Sequence, residues 1–120
     1  MELARLGAVE LKFAELIWEN APISSGQLVQ LCQAKLNWKK PTTYTVLRKL
    51  CERGLFQNND GCVTVRITKE EYMSVQSTQF VEDTFDGSLP AFFAAFTAGK
   101  ALSQQEIAEI RAMIDAYKEG

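Results

Sequence analysis

The chain has 120 residues, of which 47% are hydrophobic and 23% are charged, the composition of one globular domain or of a small domain with an appendage. Histidine is absent, which excludes Ser-His and Cys-His catalysis and any metal site that depends on histidine. The three cysteines form no CxxC pair, so the sequence predicts reduced thiols, no metal site and no cofactor. Without a signal sequence or a span of about 20 apolar residues, the expected location is the cytoplasm.

Charge is distributed unevenly along the chain, although the net charge is only −2. Residues 1–67 carry nine basic and six acidic side chains, a net charge of +3, whereas residues 68–120 carry four and nine, a net charge of −5. Within residues 35–53 there are six basic side chains and one acidic side chain, Glu52. This pattern indicates a polyanion-binding face beside a separate part that binds a partner. A solvated, charged helix face would show the same local excess.

The first half of the chain contains the pattern of three helices. Hydrophobic residues at helical spacing predict a helix over residues 8–19. The capping-box sequence SSGQ at residues 24–27 predicts the start of a second helix, which ends near Leu36. Pro41 is suited to the first turn of a third helix over residues 41–53, because its missing N–H has no partner there in any case. This third helix is amphipathic, and its outward side is basic.

Two β-rich runs follow, at residues 55–57 and 62–67, with a strong hairpin-turn sequence at Asn59-Asp60-Gly61 between them. The order helix, helix, helix, hairpin is that of a winged helix-turn-helix. The sequence therefore predicts a mainly α fold with a small β-hairpin, in which residues 1–68 form a winged-helix domain that binds DNA.

The remaining residues, 69–120, are predicted to form a helical dimerisation domain. A capping box at residues 68–71 begins a helix that extends to about Phe85, and Ser88 and Ser103 are suited to cap two further helices. These three helices bury little surface by themselves, so we expect their apolar side chains to pack against a second copy in a two-fold dimer. The alternative is one fused core in a monomer. The predicted dimer residues are Phe80, Phe85, Leu89, Phe92, Phe93, Phe96, Ile107, Ile110 and Ile114.

In this fold the third helix is expected to enter the major groove of double-stranded DNA. Arg48 is the best candidate for a guanine contact, because the guanidinium group matches the O6 and N7 atoms. Lysine side chains are expected to meet phosphates, while the threonines and the tyrosine reach base edges or the backbone. A solvated surface position is the alternative for each residue. The predicted DNA-binding residues are Lys39, Lys40, Thr42, Tyr44, Thr45, Arg48 and Lys49.

Two other classes of function are compatible with a winged helix of this size. A protein-interaction module that never binds DNA is the main alternative, although such modules usually lack a basic third helix. An enzyme is the other, but the carboxylate pairs at residues 70–71 and 82–83 lie beside no Gly-rich loop or metal-ligand set. The sequence therefore predicts neither catalysis nor a small-molecule substrate.

Three stretches of the sequence resemble the penicillinase-repressor family, also called the BlaI/MecI/CopY family. They are GAVELKFAELIWENAPISSGQLVQL, WKKPTTYTVLRKLCERGL, and the tail EEYMSVQSTQFVEDTF…GSLPAFFAAF…LSQQEIAEIRAMID. The resemblance covers about residues 6–117, and its motifs are specific as a set. It implies a winged-helix DNA-binding domain, a C-terminal helical dimerisation domain, and a homodimeric repressor on a pseudo-palindromic operator.

The resemblance also implies how such a repressor is released: a membrane-bound sensor protease system leads to cleavage in the dimerisation domain, or a metal is bound. The bond that matches the cleavage position is Ala95–Phe96, where Ala-Ala-Phe replaces the more usual Asn-Phe. No cysteine lies beyond Cys62, which argues against the metal-binding branch with its C-terminal cysteine cluster. The wing is shorter than usual and has Asn58-Asn59-Asp60 at its tip in place of basic residues, so the third helix is expected to dominate DNA binding.

Overall fold

Nine regular elements make up the part of the chain that the computed structural model describes, residues 5–118. The helices are α1 (Ala8–Asn20), α2 (Ser25–Leu36), α3 (Lys40–Glu52), α4 (Lys69–Phe85), α5 (Leu89–Gly99) and α6 (Gln104–Ala116). The strands are β1 (Ile23–Ser24), β2 (Phe56–Asn59) and β3 (Cys62–Val65). The predicted fold class, mainly helical with a small β-hairpin, is confirmed.

Capping residues explain where the helices begin. The Ser24 hydroxyl accepts a hydrogen bond from the N–H of Gln27 at 3.1 Å, just before α2. The same bond begins α4, where the N–H of Glu71 donates to the Thr68 hydroxyl at 3.1 Å. Each bond satisfies one of the N–H groups that the first turn of a helix leaves without a partner. The capping boxes predicted at these two helix starts are therefore confirmed.

The core of the winged helix is built from one face of each of the first three helices, together with the hairpin. Its fully buried side chains include Phe13 and Ile17 of α1, Leu28 of α2, and Leu47 and Leu50 of α3. Within α1 and α3 the spacing of three or four residues follows the helical repeat. The buried face of α3 determines which side of that helix meets solvent.

The three strands form an antiparallel sheet in the order β1-β3-β2. Asn59 pairs with Cys62 across a two-residue turn, in which Asp60 and Gly61 have φ values of 50° and 87°. Positive φ at both positions is what a type I′ hairpin turn requires, so the predicted turn is confirmed. The sequence does not predict β1, because two residues show no periodicity and only their pairing with β3 makes them a strand.

The chain divides into two compact units, one ending at Thr78 and the other beginning at Gln79. This division lies inside α4, whereas the predicted domain boundary follows residue 68. The difference arises from Tyr72, whose ring is buried and whose hydroxyl accepts a hydrogen bond from the N–H of Leu6 at 2.9 Å. The first turns of α4 are therefore part of the packing of the first unit. The functional boundary at residue 68 stays a prediction.

Aromatic side chains form the centre of the second unit. Phe80 and Phe85, at the end of α4, contact Phe92 of α5 edge to face, with ring centroids 6.1 and 5.7 Å apart. Phe92 also lies 6.1 Å from Phe96. Offset and edge-on contacts of this kind are favourable for aromatic rings. Among residues 79–118, however, no side chain is fully buried, so the aromatic cluster is not a closed core.

Candidate nucleic-acid interface

The exposed side of α3 is polar and basic. Its buried side is defined by Thr43, Leu47 and Leu50. Four exposed residues lie on the opposite side: Thr42, then Thr45 three positions later, and then Arg48 and Lys49, which follow Thr45 by three and four positions. Lys39 and Lys40, at the start of the helix, are exposed as well. We call these six residues the basic α3 surface, and they include every predicted DNA-binding residue except Tyr44.

Tyr44 is placed differently from the other predicted DNA-binding residues. Its side chain is half-buried, and its hydroxyl donates a hydrogen bond at 3.1 Å to Oγ of Ser25, the first residue of α2. Thr45 remains exposed, although its hydroxyl donates to the carbonyl oxygen of Pro41 at 2.9 Å. The Tyr44 hydroxyl therefore bonds to another helix, whereas the Thr45 side chain is exposed and its hydroxyl bonds only within α3.

The carboxylates of the described residues do not neutralise the positive charges of the basic α3 surface. Arg53, just after α3, lies 3.8 Å from the carboxylate of Glu10, and Lys69 lies 3.6 Å from that of Glu15. Neither pair includes a residue of the basic α3 surface, so its lysines and arginine have no ion-pair partner among residues 5–118. Unpaired cations gathered on one exposed face are the electrostatic feature with which proteins bind nucleic-acid phosphates.

The wing, residues 56–65, carries no such charge. It contains no basic residue, and its single charged side chain is that of Asp60. At its tip the Asn58 side-chain oxygen accepts a hydrogen bond from the N–H of Gly61 at 3.0 Å, which braces the turn. The Asn58 side-chain oxygen therefore stabilises the wing itself, and the positive charge of this region lies on α3.

The three cysteines are free thiols. Cys32 is buried and Cys51 is partly buried, and burial raises the pKa of both thiols. Both are therefore protonated at neutral pH. Cys62, at the start of β3, is exposed. Across the described residues 5–118, no three cysteine, aspartate or glutamate side chains are grouped so that they could hold a metal ion.

The second unit exposes many large apolar side chains. The exposed fractions of Leu89, Phe93 and Ile114 are 63%, 44% and 66%. Of the other predicted dimer residues, Phe80, Phe96 and Ile107 are exposed, while Phe85, Phe92 and Ile110 are partly buried. The exposed members of this set are available for contact with another molecule, and their role in dimerisation stays a prediction. Ala95, on the amino side of the predicted cleavage bond, is exposed on α5.

Two residues that bear on these surfaces are missing from the sequence-based predictions. Ser25 appears there only in a capping box, although its hydroxyl accepts the bond from Tyr44. Met113 is exposed on α6, three positions after Ile110. Helical spacing from Ile110 would have indicated Met113, whereas no sequence signal connects Ser25 with a tyrosine on another helix.

Comparison with known proteins identifies the family. The family model described as penicillinase repressor matches residues 6–116. The chain belongs to the penicillinase repressor family. The penicillinase repressor of Bacillus licheniformis is 24% identical over 121 residues, which cover 98% of this chain and 94% of that protein. The methicillin resistance regulatory protein MecI of Staphylococcus aureus is 21% identical over 114 residues, which cover 92% of this chain and 93% of that protein.

The penicillinase repressor family consists of transcriptional repressors, which are not enzymes. The resemblance inferred from the sequence motifs is thus confirmed. The matched region includes α3 and reaches the end of α6, so both the basic α3 surface and the exposed apolar residues lie within it. Within residues 5–118, none of the helices is long and apolar enough to cross a bilayer.

Proposed function

We propose that this chain is a sequence-specific DNA-binding repressor that acts as a homodimer on a pseudo-palindromic operator. The observation that carries the proposal is the basic α3 surface, whose cations are exposed and have no carboxylate partner among the described residues. In a winged helix-turn-helix, the corresponding helix lies in the major groove of DNA. Membership of a family of transcriptional repressors supports the same assignment.

The side chains of the basic α3 surface have roles that follow from their chemistry. Arg48 contacts a guanine, because its two donor groups match the O6 and N7 acceptors. Lys49, Lys39 and Lys40 neutralise phosphates, which supplies affinity and fixes the register on the duplex. Thr42 and Thr45 have short side chains that reach base edges or the backbone at close approach.

The second unit holds two copies together through its exposed apolar residues. The large apolar side chains of Leu89, Phe93 and Ile114 are exposed to water, and their burial against a second copy is favourable. A two-fold arrangement presents the same residues from each copy, so one self-complementary surface is sufficient. Such a dimer binds two half-sites separated by about 10 bp or a multiple of that spacing. A pseudo-palindromic operator matches this symmetry.

In this proposal the repressor acts in the cytoplasm and is released by cleavage of its dimerisation domain, under the control of a membrane-bound sensor protease system. The bond is Ala95–Phe96 in α5. Phe96 packs 6.1 Å from Phe92, so cutting the bond separates these rings and divides the apolar surface. Family membership supports this step, which needs no cofactor and no small-molecule substrate.

The test is fluorescence anisotropy with the duplex upstream of the protein's own gene, a scrambled duplex, and a series of salt concentrations. We expect the upstream duplex to bind at least about a thousandfold more tightly than the scrambled one. The logarithm of the binding constant should fall by about 0.9 for each neutralised phosphate per tenfold increase in salt. A complete lack of binding at low salt would contradict the proposal and favour the protein-interaction module.

Charge-reversal variants test which surface of the protein binds DNA. Lys49→Glu changes the basic α3 surface, whereas Lys12→Glu reverses an exposed lysine on α1 of the same unit. We expect the first variant to weaken binding to both duplexes strongly and the second to have little effect. Equal losses in the two variants would mean that net charge, and not α3, governs binding.

A further inference from the structure

Ser25, the first residue of α2, forms hydrogen bonds with both α3 and the wing. Its Oγ accepts the hydrogen bond from the Tyr44 hydroxyl at 3.1 Å. Its backbone N–H donates to the carbonyl oxygen of Gly61, in the turn of the wing, at 2.7 Å. Two atoms of a single residue therefore connect the helix that carries the basic α3 surface with the wing.

Neighbouring contacts hold this connection in place. Ser24 pairs with Cys62 across β1 and β3, directly beside the bond from Ser25 to the wing. Gly61 has a φ of 87°, a conformation that glycine adopts readily, and the Asn58 side chain binds its N–H at 3.0 Å. Ser25 is half-buried like Tyr44, so water competes less for the hydrogen bond between their hydroxyls than it would at an exposed site.

Tyr44 also lies close to the residue assigned to base contact. It precedes Arg48 by four positions, so the two residues are neighbours on successive turns of α3. The ring of Tyr44 spans from this part of α3 to the start of α2. Any change in the Tyr44 contact would therefore be transmitted first to the turn of α3 that presents Arg48.

We propose that the Tyr44–Ser25 hydrogen bond is a positioning contact that determines sequence specificity by holding α3 against α2 and the wing. In this view Tyr44 acts through Ser25, and its hydroxyl does not contact a base. The inference rests on the proposed function of DNA binding. A hydrogen bond to a base edge weakens steeply with misalignment, whereas attraction of cations to phosphates tolerates small displacements. Loosening α3 therefore reduces operator binding more than binding to other sequences.

The experiment uses the full-length protein with the variants Tyr44→Phe, Ser25→Ala and their combination. The probes are a duplex that the wild-type protein enriches from a random-sequence pool and a shuffled version of that duplex. We expect each single variant to lower the ratio of the two affinities about threefold to tenfold, the size typical of one lost hydrogen bond. The double variant should lose no more than the single ones, because all three lack the same bond.

Further variants separate positioning from other roles. Ser25→Thr keeps a hydroxyl at the same place and should retain most of the specificity. Tyr117→Phe and Ser74→Ala remove hydroxyls from exposed tyrosine and serine residues elsewhere and should leave the ratio unchanged. The dependence of affinity on salt should be the same in Tyr44→Phe as in the wild type, because no phosphate contact is lost.

Specific results would overturn the inference. Loss of specificity in Tyr44→Phe but not in Ser25→Ala would mean that the hydroxyl contacts DNA directly. Equal losses on both duplexes would point to a phosphate contact. A wild-type protein that enriches no sequence would contradict the proposed function itself. A wild-type protein that is specific, with variants that are equally specific, would contradict only the positioning role of the Tyr44–Ser25 hydrogen bond.

Hydrogen exchange gives a second measurement that does not depend on DNA. In Tyr44→Phe the ring is retained, so the fold should be preserved while amides near Arg48 exchange faster than in the wild type. Amides of α1 should exchange at unchanged rates. Unchanged exchange in α3 would contradict the positioning role even if affinity were altered.

Discussion

The two compact units differ in how far their apolar side chains are buried. In the first unit, Phe13, Ile17 and Leu50 are completely removed from solvent. In the second unit no described residue is buried, and Leu89 and Phe93 are largely or half exposed. Hydrophobic burial is the dominant favourable contribution to folding, so the first unit is stabilised by a core of its own, whereas the described residues of the second unit form no closed core. Apolar residues therefore stabilise the fold of the first unit, and we propose that those of the second unit mediate dimerisation.

The largest expected effect tests the proposed dimer surface of the second unit. Phe93→Glu should raise the dimer dissociation constant more than about a hundredfold, because a two-fold dimer loses the same apolar contact twice, about 3–6 kcal/mol in all. Sedimentation equilibrium measures this constant. Ala98→Glu is the matched control, since Ala98 is exposed on the opposite side of α5. A dimer that resists Phe93→Glu but dissociates with Ala98→Glu would place the interface on the other face.

The next effect tests the closed core of the first unit. Phe13→Ala should lower the free energy of unfolding by about 3–5 kcal/mol, because it leaves a cavity beside Trp38, whose ring centroid is 5.2 Å away. Urea denaturation followed by tryptophan fluorescence measures the loss. Phe93→Ala should change the unfolding of this unit little. If both variants destabilised it equally, the contrast between the two units would be wrong.

A smaller effect separates base contact from phosphate contact on α3. Arg48→Ala should cost about 1–3 kcal/mol of operator binding and relax the preference at one base pair. Lys49→Ala should weaken all sequences alike and lower the salt slope by about one unit. Anisotropy titrations with single-base operator variants distinguish the two patterns. Equal losses on operator and random DNA for Arg48→Ala would identify it as a phosphate contact instead.

The smallest effect concerns the start of α4, which packs on the first unit. Tyr72→Phe should lower the free energy of unfolding by about 1 kcal/mol, because the N–H of Leu6 loses its hydrogen-bond acceptor. Thermal unfolding measures this change, and Tyr117→Phe, on an exposed tyrosine, should have no effect. An equally stable Tyr72→Phe variant would show that this bond does not tie α4 to the first unit.

Prediction from sequence succeeded where the signal is local. The helix starts at Ser24 and Thr68 and the turn at Asp60 and Gly61 depend on residues within four positions of one another, and all are found in the structure. It failed for β1, whose two residues become a strand only by pairing with β3. The candidate nucleic-acid interface shows the same difference between local signals and contacts over long sequence distances. The exposure of Arg48 follows from helical periodicity, whereas the bond from Tyr44 to Ser25 joins residues on different helices.

The sequence alone was sufficient to identify the family, the order of the helices and the hairpin, the basic side of α3 and the apolar residues of the last three helices. These properties depend on residue type and on short-range spacing, both of which can be read from the sequence. Only the tertiary structure decided that Tyr72 packs the first turns of α4 onto the first unit and that the hydroxyl of Tyr44 is engaged by Ser25. Contacts between residues far apart in sequence depend on how whole elements pack, and no local pattern specifies that packing.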